Sequence, residues 1–192
     1  MSTRADESPT AVLTTANQLT MLRIVFVPVF IILLAYRHIG WAFSIFIAAG
    51  VTDVLDGVIA RRLRQKTSIG AVLDPIADKL LMIASILIFS LSRVGFHTMI
   101  PRWLMIIIIC RDVFILLVAV TVTLMVGWRV FKPSPYGKAS TVMQFLMILA
   151  VLYVNWQQVA VPQLQILFYA TGLMTAFSGL HYLGRSLREW PF

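Results

Sequence analysis

Four aspartates stand at spacings that suit joint chemistry. Asp53 and Asp56 lie three residues apart, and Asp74 and Asp78 lie four apart, so on helices each pair occupies one face. Small and basic residues surround them: Gly57, Ala60, Arg61 and Gly70. Carboxylates brought together repel one another, so something positive must sit between them. Arg61 or Lys79 supplies part of that charge in one reading, as a salt-bridged helix hairpin. A divalent cation is the better answer, because the donors are hard oxygens with no His or Cys nearby. That chemistry favours Mg²⁺ or Mn²⁺ over Zn²⁺. Gly57, Ala60 and Gly70 keep the same region narrow-walled, as a slot for a flat group requires. Pro75 follows Asp74 and lacks a backbone donor, which predicts a distorted helix start there.

The elements that must hold these acids are apolar. Of 192 residues, 59% are hydrophobic and only 12% charged, with a mean hydropathy of +0.88. Soluble domains carry about 25% charged residues, so this chain lacks the polar surface to cover a water-soluble particle. Six apolar runs approach the ~20 residues a membrane-crossing helix needs, near 20–36, 40–60, 70–91, 100–126, 140–156 and 163–183. Helices satisfy their own backbone in lipid and an open sheet does not. The fold class expected is therefore all-α, a polytopic membrane protein with a six-transmembrane-helix bundle. Residues 1–16 read as a flexible N-terminal tail without the pattern of a secretory signal, and 17–192 as one transmembrane domain.

Five of the eight acidic residues (Asp53, Asp56, Asp74, Asp78 and Asp112) fall in or against these spans. A carboxylate at that depth costs several kcal/mol unless paired or hydrated, so it marks a functional site by default. The second span ends with one aspartate pair and the third opens with the other. An antiparallel hairpin joined by the short basic loop 61–69 brings all four together near one membrane surface. Lys and Arg choose the surface: Arg4, Arg23, Arg61, Arg62, Arg64, Lys66, Arg129, Lys132, Lys138, Arg185 and Arg188 fall on one side, and Arg37, Arg93 and Arg102 on the other. The first side is cytoplasmic by the positive-inside rule, together with both termini. A net charge of +8 reflects this topology or an anionic substrate. The dispersed basic residues form no face for nucleic acid. Cys110, the sole cysteine, excludes an intrachain disulfide and is expected to pack as a small hydrophobe. His38, His97 and His181 fall at span ends, and the five tryptophans near span boundaries, as an aromatic belt does.

The full pattern is Asp53-x₂-Asp56-Gly57-x₂-Ala60-Arg61-x₈-Gly70-x₃-Asp74-x₃-Asp78. It resembles the signature of the CDP-alcohol phosphatidyltransferase family, with every signature position filled. Asn17-x₂-Thr20-x₂-Arg23, Arg111-Asp112 and Gly137-Lys138-x₂-Thr141-x₂-Gln144 are also similar to family segments, so the resemblance covers roughly residues 17–185. It implies a six-helix transmembrane bundle, a homodimer, and two metal ions held by Asp53, Asp56, Asp74 and Asp78. It also implies Asp78 as general base, Gly57, Ala60 and Gly70 facing the cytidine, Arg61 at a phosphate, and Asn17 and Thr20 among the residues that bind the CDP-lipid. The implied reaction transfers a phosphatidyl group from CDP-diacylglycerol to an alcohol in a bacterial-type inner membrane, with release of CMP. No Ser, Cys or His sits beside a base in the motif, which predicts direct displacement.

The acceptor is open at this point. A phosphorylated acceptor such as glycerol 3-phosphate needs a basic pocket, for which Arg111 within a span and Lys138 at a helix start are candidates. Adjacent residues point apart on a helix, which argues against a simple Arg111–Asp112 pair. The segments Asn17–Arg23 and Gly137–Gln144 resemble phosphatidylglycerophosphate synthases. Arg-Asp rather than Arg-Glu at 111–112 is closer to the cardiolipin synthases of the same superfamily, whose acceptor is phosphatidylglycerol. An inositol phosphate is a third possibility. A cation transporter, from another class, would need acids deep in several spans, whereas here they gather at one edge.

Overall fold

The computed structural model describes the backbone of residues 15–63, 70–91, 95–126 and 134–189, and the side chains of 25–52, 79–91, 95–118, 121 and 134–184. These residues form six α-helices and no strand: α1 (Thr15–Ala35), α2 (Ile39–Leu63), α3 (Gly70–Leu91), α4 (Arg102–Val126), α5 (Pro135–Gln157) and α6 (Leu164–Glu189). The all-α expectation holds. Three boundaries differ from the apolar runs, because helices continue past the residues lipophilicity selects. α1 opens at Thr15, α5 opens at Pro135, and α6 runs on through the mostly polar segment Arg185–Glu189. α3 is helical across Pro75. Pro75 is the sixth residue of α3, so it forgoes the bond to the Ala71 carbonyl that any other residue would donate there.

The chain divides into two compact units, Met1–Ala84 and Ser85–Phe192, with α3 running from one into the other. In the first unit, α1 and α2 form a hairpin. Phe30 and Leu34 are fully buried, as are Ala42 and Phe46, and the Phe30 and Phe46 rings lie 5.8 Å apart. The turn between them is tight. Arg37 takes φ 61°, His38 donates its N–H to the Leu33 carbonyl at 2.8 Å, and Arg37 donates to Leu34 at 3.1 Å. This is a Schellman closure, built on an arginine where glycine is the easier residue.

In the second unit, α6 packs against both α4 and α5. Leu104, Ile108, Met147, Ile148, Leu152 and Phe168 are buried there. The loop after α3 folds back, with the Ile100 N–H bonded to the Phe89 carbonyl at 3.1 Å and Phe96 against Phe89 at 4.7 Å. Asn155, 2% exposed near the end of α5, clamps this loop. Its Oδ1 accepts from the Thr98 N–H at 3.0 Å, and its Nδ2 donates to the Thr98 carbonyl at 2.9 Å.

Polarity is distributed inside out. Ser85, Ser90, Arg111, Ser140, Gln144, Asn155, Thr171, Thr175 and Ser178 are buried, while Leu116, Leu117, Ile166, Leu173 and Leu180 are more than half exposed. That arrangement suits helices whose outer faces meet lipid and whose contacts use small and polar residues. Two described helical segments, Pro135–Gln157 and Leu164–Gly184, are long and apolar enough to cross a bilayer. Only 39% and 28% of their apolar windows are buried, so they are not core helices wrapped by protein. Cys110 is exposed on α4, against the expectation that it packs inside, because the helix turns that position outward from the α4–α6 contact.

Candidate functional site

The aspartate motif falls on two successive helices. Asp53, Asp56, Gly57, Ala60 and Arg61 lie in the last three turns of α2, and Gly70, Asp74 and Asp78 in the first three turns of α3. Helical backbone at both places gives each pair a shared face, as the spacing requires. Asn17 and Thr20 lie in the first two turns of α1. The side chains of all these residues lie outside the described ones. Among the described residues, no three His, Cys, Asp or Glu side chains gather as a metal centre would need.

The second unit places Arg111 in full detail. It is the tenth residue of α4, and its side chain is 8% exposed. Nη1 donates to Asp112 Oδ1 at 2.7 Å, and Nη2 donates to Ser178 Oγ on α6 at 2.8 Å. Nε is buried with no hydrogen-bond partner among the described residues. The pair with Asp112 corrects the expectation that neighbouring residues point apart. Their Cβ atoms do diverge, but the arginine is long enough to curl its guanidinium back to the next side chain. Burying a cation requires such a partner.

The first turn of α5 closes over this arginine. Ser134 is the N-cap, with extended backbone (φ −69°, ψ 146°), and its Oγ accepts from the Gly137 N–H at 3.0 Å. Pro135 takes the first helical position, where its missing N–H costs nothing. A Cβ at Gly137 would lie 3.2 Å from Arg111 Nη2 and 3.2 Å from Ser134 Oγ, so glycine leaves the room the guanidinium fills. On α6, a Cβ at Gly179 would stand 3.4 Å from Arg111 Cγ. Arg111 therefore runs through a slot walled by Ser134, Gly137, Ser178 and Gly179.

Polar contacts below the slot fix α5 to α6. Ser140 Oγ and Thr175 Oγ1 are 3.1 Å apart, and Gln144 Nε2 donates to both, at 3.3 and 3.2 Å. Tyr136 packs on Phe177 at 5.1 Å and on His181 at 4.7 Å. His181 lies in the last turn of the apolar span Leu164–Gly184, near its end as expected, with Nδ1 buried. Lys138, one residue past Gly137, is exposed, and the structure records no contact between it and Arg111. α4 continues past Arg111 through Asp112–Val126, 15 residues or about 22 Å of helix, whereas α5 begins beside Arg111. The slot is therefore recessed relative to the end of α4. Trp41, Trp103 and Trp156 are exposed, as belt residues are, while Trp128 and Trp190 lie outside the described residues.

The arrangement can hold an anion. The buried guanidinium lies against the positive end of a 23-residue helix, whose first turn also carries the exposed Lys138. Ser134, Ser178 and Gly179 were not singled out by sequence reasoning. Ser134-Pro135 is a readable helix-start signal. Nothing in the sequence joins residue 178 to residue 111.

Comparison with known proteins gives the chemistry a context. The family model described as CDP-alcohol phosphatidyltransferase matches residues 13–177. A putative cardiolipin synthase of Mycobacterium bovis is 35% identical over 68% of this chain and 60% of its own length. A probable phosphatidylglycerophosphate synthase of Mycobacterium tuberculosis is 36% identical over 91% of this chain and 82% of its own. A CDP-diacylglycerol–glycerol-3-phosphate 3-phosphatidyltransferase of Haemophilus influenzae is 32% identical over 86% and 89%. The chain thus spans about 60% of the length of the cardiolipin-synthase relative and most of the length of the other two.

Proposed function

We propose that this chain, which belongs to the CDP-alcohol phosphatidyltransferase family, transfers a phosphatidyl group from CDP-diacylglycerol to glycerol 3-phosphate, releasing CMP and forming phosphatidylglycerophosphate. The observation that carries this reading is the filled motif from Asp53 to Asp78, set on two successive helices inside the family match. The similarity, over most of both chains, to proteins named phosphatidylglycerophosphate synthase and CDP-diacylglycerol–glycerol-3-phosphate 3-phosphatidyltransferase supports the acceptor.

In this reading Asp53, Asp56, Asp74 and Asp78 would hold two Mg²⁺ or Mn²⁺ ions. The donor set fits such ions: four carboxylates, with no His or Cys in the motif. When bound, divalent ions neutralise the pyrophosphate and ease departure of CMP. Gly57, Ala60 and Gly70 admit the cytidine, Arg61 pairs with a phosphate, and Asn17 and Thr20 line the approach of the CDP-lipid. Asp78 takes the proton from the acceptor hydroxyl. The acceptor oxygen then bonds to the phosphatidyl phosphorus as the pyrophosphate P–O bond breaks, with no covalent enzyme intermediate. Arg111 and Lys138 hold the acceptor's phosphate, for which a buried guanidinium offers charge-assisted hydrogen bonds.

The same reading sets the chain in a bacterial-type inner membrane as a six-span bundle over residues 17–192, with a tail at 1–16. Both termini and the site face the cytoplasm, and the chain pairs as a homodimer. A second reading, cardiolipin synthesis with phosphatidylglycerol as acceptor, is favoured by Arg111–Asp112 and by the similarity to a protein of that name. An acceptor panel separates the two. Purified protein with CDP-diacylglycerol and Mg²⁺ is given glycerol 3-phosphate, phosphatidylglycerol, inositol phosphate or serine. Turnover with glycerol 3-phosphate supports the first reading, and turnover with phosphatidylglycerol alone overturns it.

A further inference from the structure

We infer that Ser178 is a positioning residue that aims Arg111 at the acceptor's phosphate, an inference that rests on the acceptor-binding reading of Arg111 above. Hydroxyls on apolar helices ordinarily bond to the carbonyl four residues back on their own helix. Ser44, Thr52, Thr121, Thr141 and Thr171 all do so, at 2.7–3.1 Å. The Ser178 hydroxyl is used differently. It is 1% exposed and reaches from α6 to accept from Arg111 Nη2 at 2.8 Å.

The direction of that bond matters. Asp112 is the neighbour of Arg111 on α4, so its pull holds the guanidinium close to α4. Ser178 supplies a contact from the opposite wall and holds the group between the first turn of α5 and α6. A serine oxygen does this without adding a second negative charge beside Asp112. Gly137 completes the fit, because a side chain there would meet Nη2 at 3.2 Å. Loss of the Ser178 oxygen frees the guanidinium to swing within the slot while the fold around it, held by Ser140, Gln144 and Thr175, persists.

The test uses full-length protein in detergent–lipid micelles with CDP-diacylglycerol, varying glycerol 3-phosphate. Ser178→Val and Ser178→Thr have the same branched shape and differ only in the hydroxyl. Ser178→Val should raise KM for glycerol 3-phosphate about tenfold, the usual effect of deleting one hydrogen bond to a charged group, with kcat and the KM for CDP-diacylglycerol unchanged. Ser178→Thr should restore the wild-type KM, and Ser178→Ala, which adds no bulk, should behave as Ser178→Val does. Equal KM values for Ser178→Val and Ser178→Thr overturn the positioning role. Arg111→Gln separates this failure from failure of the underlying reading. A raised KM in Arg111→Gln with a normal one in Ser178→Val removes only Ser178, whereas a normal KM in Arg111→Gln removes both.

Discussion

Replacing Asp112 by alanine strands the Arg111 cation. The two side chains are 8% and 10% exposed, joined at 2.7 Å, so solvent does little to compensate. Removing one partner of a buried pair costs about 3–5 kcal/mol, and the surviving bond to Ser178 puts this case at the lower end, about 3 kcal/mol. For a chain of this length each kcal/mol moves the melting temperature by about 2–4 °C, so Asp112→Ala should melt about 6–12 °C below wild type. The double variant Arg111→Met/Asp112→Ala removes both charges and keeps an apolar chain in the slot. It should recover to within about 1 kcal/mol of wild type, giving a coupling of at least about 2 kcal/mol, and more by whatever Arg111→Met alone costs in stranding the Asp112 carboxylate. Near-UV circular dichroism during thermal unfolding in one detergent measures all four corners of the cycle. A melting temperature for Asp112→Ala within about 2 °C of wild type, or a double variant as unstable as the two singles added together, refutes the claim that this pair neutralises a buried charge.

Other expectations test separate parts of the molecule. Asp78→Asn should lower turnover by about 10²–10⁴, the contribution of a positioned general base, while CDP-diacylglycerol binding stays measurable by titration; near-normal turnover removes Asp78 from that role. Asn155→Ala leaves both backbone groups of Thr98 without their side-chain partner and should cost about 1–3 kcal/mol. Hydrogen exchange should then rise at Thr98 and its neighbours, and unchanged exchange there would count against the clamp.

Much of this architecture is legible in the sequence because lipid-compatible helices announce themselves by length and apolarity. The runs near 40–60 and 70–91 become α2 and α3, and the aspartate spacing places each pair on a helix face. What the apolar runs do not show is where a helix ends in polar residues. α5 begins with Pro135-Tyr136-Gly137-Lys138, which hydropathy discounts, although Ser134-Pro135 is a capping signal. Arg111 was recognisable as an oddity within a span, but its environment was not. The bond to Ser178 joins positions 67 apart and depends on how α4 and α6 cross. The pair with Asp112 depends on side-chain reach, which a face argument from spacing alone ignores.

The central claim is the reaction, and its most direct measurement is release of CMP from CDP-diacylglycerol by the purified protein in the presence of glycerol 3-phosphate. CMP and phosphatidylglycerophosphate should form in equal amounts with Mg²⁺ or Mn²⁺ supplied, and neither should form with chelator or with Asp53→Ala. Protein that retains its helical circular dichroism and binds CDP-diacylglycerol, yet releases no CMP with any acceptor and metal, would contradict the account.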